Sequence, residues 1–163
     1  MTELACTPGQ TVGPFLHLGM PCAPELVGDS DSRAIRLHGT VYDGDGTPVP
    51  DALVELWQAG DGFTGWGRAA TDVDGHYGFT TVAPGRPPFF ALAVFARGLL
   101  DRLFTRAYLP GADLAANPLL AVVDAGRRAT LLCVPESQGG YRFDIQLQGP
   151  RETVFLAYRG AGG

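Results

Sequence analysis

Short runs of alternating apolar and polar residues, separated by turns rich in glycine, proline and aspartate, dominate this chain after residue 34. The run 35–42 has the period of a half-buried strand, and the sequence Asp43-Gly44-Asp45-Gly46 after it is typical of a turn. The same reasoning predicts further strands in the stretches 52–59, 71–81 (a turn followed by a strand), 103–109, 130–134 and 141–149.

Three stretches depart from this alternation. The apolar run 89–96 is typical of a strand buried on both faces. The glycine-rich stretch 60–67 predicts a loop, and residues 112–123 are where a short helix is expected. The strand spacing, with 23 glycines and 13 prolines, favours an all-β fold: a β-sandwich of mixed short strands with at most one or two short helices.

The first residues lack such runs and predict an N-terminal arm and loop at 1–34, ahead of one sandwich domain at 35–163. Residues 6–15 carry no charge and combine two prolines and two glycines with apolar residues. This stretch is too punctuated for a helix and too rich in proline for a central strand. It predicts an extended segment that lies against a surface, either of its own domain or of another chain.

The composition argues against several classes of function. A net charge of −5 and a pI near 5.0 disfavour sequence-independent nucleic-acid binding, and no apolar run is long enough to span a bilayer. The start lacks a basic segment followed by an apolar one, so no secretory leader is expected. Cys6, Cys22 and Cys133 form no CxxC motif, which predicts a reduced, cytoplasmic protein.

The three histidines, His17, His38 and His76, fall on the predicted arm, a strand and a turn, with no pair at metal-ligand spacing. A metal site needs several ligands that converge on one point. We therefore expect no metal site in this chain, and we expect each histidine at the surface or in a hydrogen bond.

A series of motifs resembles the intradiol ring-cleaving dioxygenases in order and spacing, over nearly the whole chain. No motif is decisive by itself, and the resemblance rests on their shared order. The motifs are Thr7-Pro8-x-Gln10-Thr11-x-Gly13-Pro14-Phe15, Trp57-Gln58, Asp74-Gly75-x-Tyr77-x-Phe79, Leu103-x-Thr105-Arg106-x-Tyr108 and Tyr141-Arg142-Phe143-Asp144-Ile145-x-Leu147-x-Gly149.

The resemblance is to the protocatechuate-cleaving branch of that family, which is built from two homologous chains, alpha and beta. There the beta chain holds a non-haem Fe(III) with two tyrosines and a His-x-His pair, and the histidine positions fall on Phe89 and Ala91 here. No tyrosine follows Ala59 before Tyr77, and none directly follows Gly85. The resemblance thus implies an alpha-type chain that binds no iron and whose loops at these two places are shortened.

Residues 94–100 and 148–155 are similar to alpha chains in particular. In this family the alpha chain closes one wall of the beta-chain active site. The resemblance therefore implies substrate-binding roles for Thr11, Gly13, Pro14 and Arg97. A guanidinium at that place would attract the carboxylate of protocatechuate. The alternative for Arg97 is a structural arginine that caps a strand end or joins an interface ion pair.

The implied activity belongs to an assembly with the iron-bearing beta chain. The assembly would insert both atoms of O2 into protocatechuate, giving 3-carboxy-cis,cis-muconate in the beta-ketoadipate pathway of aromatic catabolism. The isolated chain would be inactive. The implied partners are the beta chain and a small aromatic substrate, with no nucleic acid and no membrane. Two alternatives stay open: a stand-alone β-sandwich binding module, and a single-chain intradiol enzyme, which the missing ligands disfavour.

Overall fold

Two β-sheets form the computed structural model, which describes residues 7–28, 30–86, 88–114, 117–118 and 120–157. The strands are β1 (Ala34–Tyr42), β2 (Leu53–Gly60), β3 (Phe63–Ala70), β4 (His76–Val82), β5 (Phe90–Phe95), β6 (Leu103–Ala107), β7 (Val134–Pro135), β8 (Gly140–Arg142) and β9 (Ile145–Gln146). One sheet has the strand order β4-β1-β8-β7, with β9 also paired to β1, and the other has the order β3-β2-β5-β6. The prediction of an all-β sandwich is confirmed.

Helical structure within the described ranges is short. Helix α1 (Ala125–Arg128) begins after Asp124, whose carboxylate accepts hydrogen bonds from the backbone N–H groups of Gly126 and Arg127 and so caps the helix. The 3₁₀ turns are Leu16–Gly19, Ala129–Leu131 and Ser137–Gly139. None of these helices is long and apolar enough to cross a membrane.

The core lies between the two sheets and is filled by every second side chain of their strands. In β2 these are Val54, Leu56 and Gln58, all buried. The Gln58 amide nitrogen donates to the carbonyl of Val82 at 3.0 Å, and its amide oxygen accepts from the Thr81 hydroxyl at 2.6 Å. This buried polar side chain is therefore satisfied. The first two strands predicted from alternation, β1 and β2, are confirmed.

Strand β5 buries only one of its faces, which corrects the prediction of a strand buried on both. Side chains along Phe90–Phe95 alternate between buried and partly exposed. Ala91 and Ala93 belong to the outer, partly exposed face, and their methyl groups make the sequence read as a continuous apolar run. Because both side chains are small, the outer face is shallow at this strand.

The glycine-rich stretch predicted as a loop instead contributes the first part of strand β3, so that prediction is wrong. β2 and β3 pair as an antiparallel hairpin over their full length. A Cβ on Gly65 or Gly67 would lie 2.7 or 2.6 Å from a δ-carbon of Leu26. Because these glycines have no side chain, Leu26 of the arm can pack directly against β3. The local sequence does not show this tertiary contact.

Three predictions in the C-terminal third also need correction. The residues described within 112–123 form turns and no helix, and α1 comes after them. Most of 130–134 lies in a 3₁₀ turn and an isolated bridge, so that only its last residue belongs to β7. The stretch 141–149 is divided between β8 and β9, which both pair parallel to β1.

The division between β8 and β9 lies where the chain passes very close to Gly39 of β1. A Cβ on Gly39 would lie 2.0 Å from the carbonyl oxygen of Phe143, so any side chain there forces the backbone to move. The same carbonyl accepts a 2.6 Å hydrogen bond from the Tyr77 hydroxyl. Burial raises the pKa of Tyr77 well above its usual range, so the phenol keeps its proton and its role as donor.

We expect Gly39→Ala to lower the free energy of unfolding by about 3 kcal/mol. The added methyl group would clash with backbone atoms, which cannot move aside by changing rotamer as a side chain can. Urea denaturation of the purified chain measures this loss. Gly19→Ala is the matched control, since a Cβ there would meet nothing within 4 Å, and it should change stability by less than about 0.5 kcal/mol. Equal stability of the two variants would contradict the close passage.

Candidate functional site

The first residues of the arm that the structure describes, 7–11, are exposed. Thr11, Gly13 and Pro14, the three substrate-binding residues predicted on the arm, are all exposed. A Cβ on Gly13 would meet nothing within 4 Å, so the packing of this chain does not itself require glycine there. The backbone N–H of Val12 donates to the carbonyl of Leu99 at 3.3 Å, which holds this part of the arm against the turn after β5.

The later part of the arm packs on its own domain. The backbones of Ala23 and Arg68 exchange hydrogen bonds of 3.0 and 3.2 Å, and the N–H of Leu26 donates to the carbonyl of Thr80 at 2.8 Å. The arm thereby covers one of the two edge strands of each sheet, β3 in one and β4 in the other. The later part of the arm therefore lies against its own domain, one of the two surfaces considered for it, whereas residues 7–11 are exposed.

Arg97, the fourth predicted residue, lies in the turn after β5 and makes a structural ion pair. Its Nε lies 2.9 Å from Oδ2 and 3.1 Å from Oδ1 of Asp51. The Asp51 side chain is 7% exposed, whereas the Arg97 side chain is 55% exposed. Arg97 therefore makes a structural ion pair through its Nε, the alternative considered for it, while more than half of its side chain is exposed to solvent.

The arm and Arg97 meet at the same turn of the fold. Leu99, which accepts the hydrogen bond from Val12, comes two positions after Arg97. Gly98 between them has φ +86°, a conformation that favours glycine. The side chains around this contact enclose a shallow cavity of 150 Å³, lined by Val12, Phe95, Leu99, Leu100, Asp101 and Arg102. Residues predicted from two distant motifs thus lie in one region.

Of the two positions that match the histidine ligands of the family, Phe89 packs in a cluster of aromatic side chains, whereas Ala91 lies on the outer, partly exposed face of β5. The rings of Phe89 and Tyr108 have centroids 5.5 Å apart, and the Arg106 guanidinium lies 4.0 Å from the centroid of the Phe89 ring. The Tyr108 hydroxyl accepts a 3.2 Å hydrogen bond from the Asn117 amide. A guanidinium stacked on this ring would repel a metal cation placed beside it.

The three histidines do not converge. His38 Nε2 lies 3.0 Å from a carboxylate oxygen of Glu136, and His76 Nδ1 lies 3.7 Å from Asp72 on an exposed turn. His17 belongs to the first 3₁₀ turn. His38 and His76 are each in a local contact, as expected, whereas the Nδ1 of His17 is buried without a hydrogen-bond partner among the described residues, which corrects the expectation for that histidine.

Among the described residues, the potential ligand side chains that lie together are Asp72, Asp74 and His76, all exposed. Asp72 Oδ1 accepts backbone hydrogen bonds from His76 and Asp74, and these bonds, chiefly that from His76, lower the pKa of Asp72. An exposed turn with two carboxylates and one imidazole differs from a ferric centre built from phenolates and imidazoles. The described residues therefore do not fit such a centre.

The two turns where shortened loops were inferred are in direct contact. In the turn between β2 and β3, Gly60 and Asp61 both have positive φ, +137° and +50°. A Cβ on Gly60 would lie 2.6 Å from the backbone nitrogen of Arg86, and a Cβ on Gly85 would lie 2.4 Å from the carboxyl carbon of Asp61. Backbone of one turn thus fills the space beside the other.

Sequence reasoning missed two features of this region. Asp51 is the buried partner of Arg97, and Trp66 lies opposite Trp57 on the outer face of the β3-β2-β5-β6 sheet. Trp57 lies two positions after Glu55 in a predicted strand, so alternation places both side chains on the same face, and the charged Glu55 indicates that this face is exposed. Trp66, in contrast, falls in the stretch that was predicted as a loop. No local pattern indicates the burial of Asp51, because it depends on a contact with a distant turn.

Comparison with known proteins gives a consistent result, although no family model matches the chain. The chain is 38% identical to the protocatechuate 3,4-dioxygenase alpha chain of Burkholderia cepacia, over 96% of this chain and 99% of the relative. It is 32% identical to the beta chain of the same enzyme and organism, over 77% and 69%. The dioxygenase domain of a dioxygenase–carbohydrate-binding protein fusion from Streptomyces sp. SirexAA-E has a TM-score of 0.63 at 26% identity, over 88% of this chain and 98% of that domain.

The alignment with the alpha chain also bears on the shortened loops. It runs over 197 positions, whereas this chain has 163 residues, so the relative carries internal stretches that this chain lacks. Identity and coverage are both higher for the alpha chain than for the beta chain. These values agree with an alpha-type chain in which loops have been shortened.

Replacing Arg97 by alanine leaves the buried Asp51 carboxylate without its ion-pair partner. We expect the free energy of unfolding to fall by about 1 kcal/mol, a modest loss because Arg97 is more than half exposed and water replaces part of the contact. Urea denaturation measures it. Arg127→Ala is the control, since Arg127 is 52% exposed and pairs with the exposed Glu152 at 3.3 Å. A loss no larger than that of Arg127→Ala would argue against a structural role for Arg97.

Proposed function

Because this chain belongs to the alpha-chain branch of the intradiol ring-cleaving dioxygenases, we propose that it is the alpha subunit of a protocatechuate 3,4-dioxygenase. The assembled enzyme inserts both atoms of O2 into protocatechuate and releases 3-carboxy-cis,cis-muconate. One observation carries the proposal: an exposed arm and an exposed arginine meet at one turn of a chain whose described residues do not fit a ferric centre. Such a chain supplies a pocket wall and leaves the metal to its partner.

We place the Fe(III) in the beta subunit. The residues described here do not fit it, since the histidines lie apart and Tyr77 is held as a protonated phenol by burial. A beta chain homologous to this one exists among the relatives, which supports an alpha–beta pair as the working unit. This chain then acts on the substrate by binding and orienting it.

In this proposal Arg97 recognises the carboxylate of protocatechuate. Asp51 holds Nε, and the exposed remainder of the guanidinium is available to donate paired hydrogen bonds to a carboxylate. The carboxylate of the substrate lies across the ring from its two hydroxyl groups. Binding at that end therefore directs the hydroxyl groups away from this chain, towards the subunit that holds the iron.

The arm closes the pocket beside Arg97 in the same proposal. Pro14 restricts the backbone and so lowers the entropy lost when the arm docks, and Gly13 allows close approach of the backbone to a ligand. Thr11 adds a hydroxyl group that can donate or accept. The division into an arm and loop at 1–34 and a sandwich domain at 35–163 is part of the same proposal.

We also place the protein in the reducing cytoplasm. Of the three cysteines, Cys22 and Cys133 are free thiols, and Cys6 lies outside the described residues. Burial raises the pKa of Cys133 to about 12, so its thiol stays protonated and unreactive at neutral pH. Two unpaired thiols in one chain fit a compartment in which disulfides do not form.

Co-expression with a beta-type chain tests the assembly. We expect the two chains to co-purify in equal amounts, with iron in proportion to the beta chain and O2 uptake that depends on protocatechuate. Gel filtration, metal analysis and an oxygen electrode measure these three properties. The chain expressed alone should show neither activity nor stoichiometric iron. Iron bound in proportion to the isolated chain would overturn the assignment.

Arg97→Ala in the assembled enzyme tests the carboxylate contact. We expect KM for protocatechuate to rise about tenfold or more, since a charge-assisted hydrogen bond contributes about 1.5–3 kcal/mol, while turnover of catechol, which lacks the carboxylate, stays unchanged. Arg127→Ala serves again as the control and should leave both substrates unaffected. An unchanged KM for protocatechuate in the Arg97 variant would remove Arg97 from the substrate site.

A further inference from the structure

The outer face of the β3-β2-β5-β6 sheet carries an exposed aromatic surface. Trp66 pairs with Trp57 across β3 and β2, and Trp57 pairs in turn with Ala91 of β5. The side chains of Trp57 and Trp66 are 43% and 49% exposed. Together with Ala93 and Phe104 in the adjacent row, these residues line an apolar groove of 170 Å³. We call Trp57, Trp66, Ala91, Ala93 and Phe104 the tryptophan face.

Two indoles side by side on an open sheet are an unusual surface for a chain that works alone. Tryptophan is enriched at the centres of protein interfaces, where its large area is desolvated. The alanines of β5 form a shallow floor between the larger side chains. An extended peptide segment fits a groove of this shape, because alternate side chains can enter it while the backbone stays outside.

The charges around the tryptophan face are not balanced. The Glu55 carboxylate at its centre is neutralised by Arg68, whose Nη2 lies 2.5 Å away. Arg106 at the β6 side has its Nε buried, with no hydrogen-bond acceptor among the residues that the structure describes. Arg102 on the same strand side is exposed and stacks on Phe104 at 4.8 Å. The β6 side therefore favours an occupant that brings oxygen acceptors or negative charge.

The tryptophan face is continuous with the region where the arm and Arg97 meet. Strand β5 carries Ala91 and Ala93 on this face and leads directly into the turn of Arg97 and Leu99. A subunit that covers Arg97 and the exposed part of the arm therefore lies next to the same sheet face. Covering both in one interface would bury the exposed indoles.

We propose that the tryptophan face is a docking surface for the beta subunit, which lays an extended apolar segment across Trp57 and Trp66 with a carbonyl or carboxylate oxygen on Arg106. This inference rests on the proposed function, since it names the surface by which the two chains join. It assigns to these residues a role in assembly, separate from the substrate contacts of Arg97 and the arm.

Fluorine NMR tests the proposal directly, because the two tryptophans of the chain are both on the tryptophan face. The chain labelled with 5-fluorotryptophan should give two resonances that shift between H2O and D2O. On addition of unlabelled beta chain, we expect both solvent shifts to be lost. A complex in which both shifts persist would overturn the docking surface alone, whereas failure to form any complex would overturn the proposed function as well. Loss of the shifts on concentrating the isolated chain would show instead that a second copy covers the face.

Trp66→Glu provides the matched affinity measurement, with Val73→Glu as control because Val73 is exposed on a turn away from this sheet. We expect the Kd for the beta chain, measured by calorimetry, to rise at least tenfold for Trp66→Glu and to stay within about twofold for Val73→Glu. Circular dichroism of each free variant shows whether it folds. Should Trp66→Glu fail to fold, Arg106→Gln replaces it, with the same expected rise in Kd. Equal affinity of the folded variant and the control would contradict the proposal.

Discussion

The close passage of the backbone at Gly39 is the contact on which the rest of this sandwich depends. Because residue 39 has no side chain, the carbonyl of Phe143 can lie where a Cβ would be, and the Tyr77 hydroxyl completes the contact with a 2.6 Å hydrogen bond. This passage lets the C-terminal segment pair with β1 on both sides of the crossing, as β8 and β9. β8 and β9 thereby complete the first sheet beside β1, and the sheet presents a continuous apolar face to the second sheet.

The second sheet carries or adjoins the features that we propose to contact other molecules. Its strand β5 ends in the turn that holds Arg97, and the carbonyl of Leu99 in that turn fixes the arm through Val12. The outer face of the same sheet carries the exposed indoles. One sheet thus positions the proposed substrate contact, the anchor of the arm and the surface proposed for assembly, so that docking of a partner on the sheet would also set the geometry of the proposed pocket wall.

The two turns where the resemblance implies shortened loops are packed against each other at this end of the sheet. Gly60 lies against the backbone of Arg86, and Gly85 lies against the side chain of Asp61. Contacts of this kind leave the turns little freedom, since both depend on residues without a Cβ. The end of the sheet is therefore closely packed at these two turns, and no space remains there for longer loops.

The sequence alone determined the class of fold and the first strands, and it supplied the residues predicted for the candidate site. Alternation in 35–42 and 52–59 reflects burial of one face, a local property that a single strand displays by itself. The resemblance in motif order likewise led to the prediction that Thr11, Gly13, Pro14 and Arg97 bind the substrate. Only the tertiary structure decided that 63–67 is a strand, that β5 has an open face, and that Arg97 is held by Asp51. These features depend on residues far apart in the chain, since Leu26 fills the space beside Gly65 and Gly67 and no local pattern records that contact.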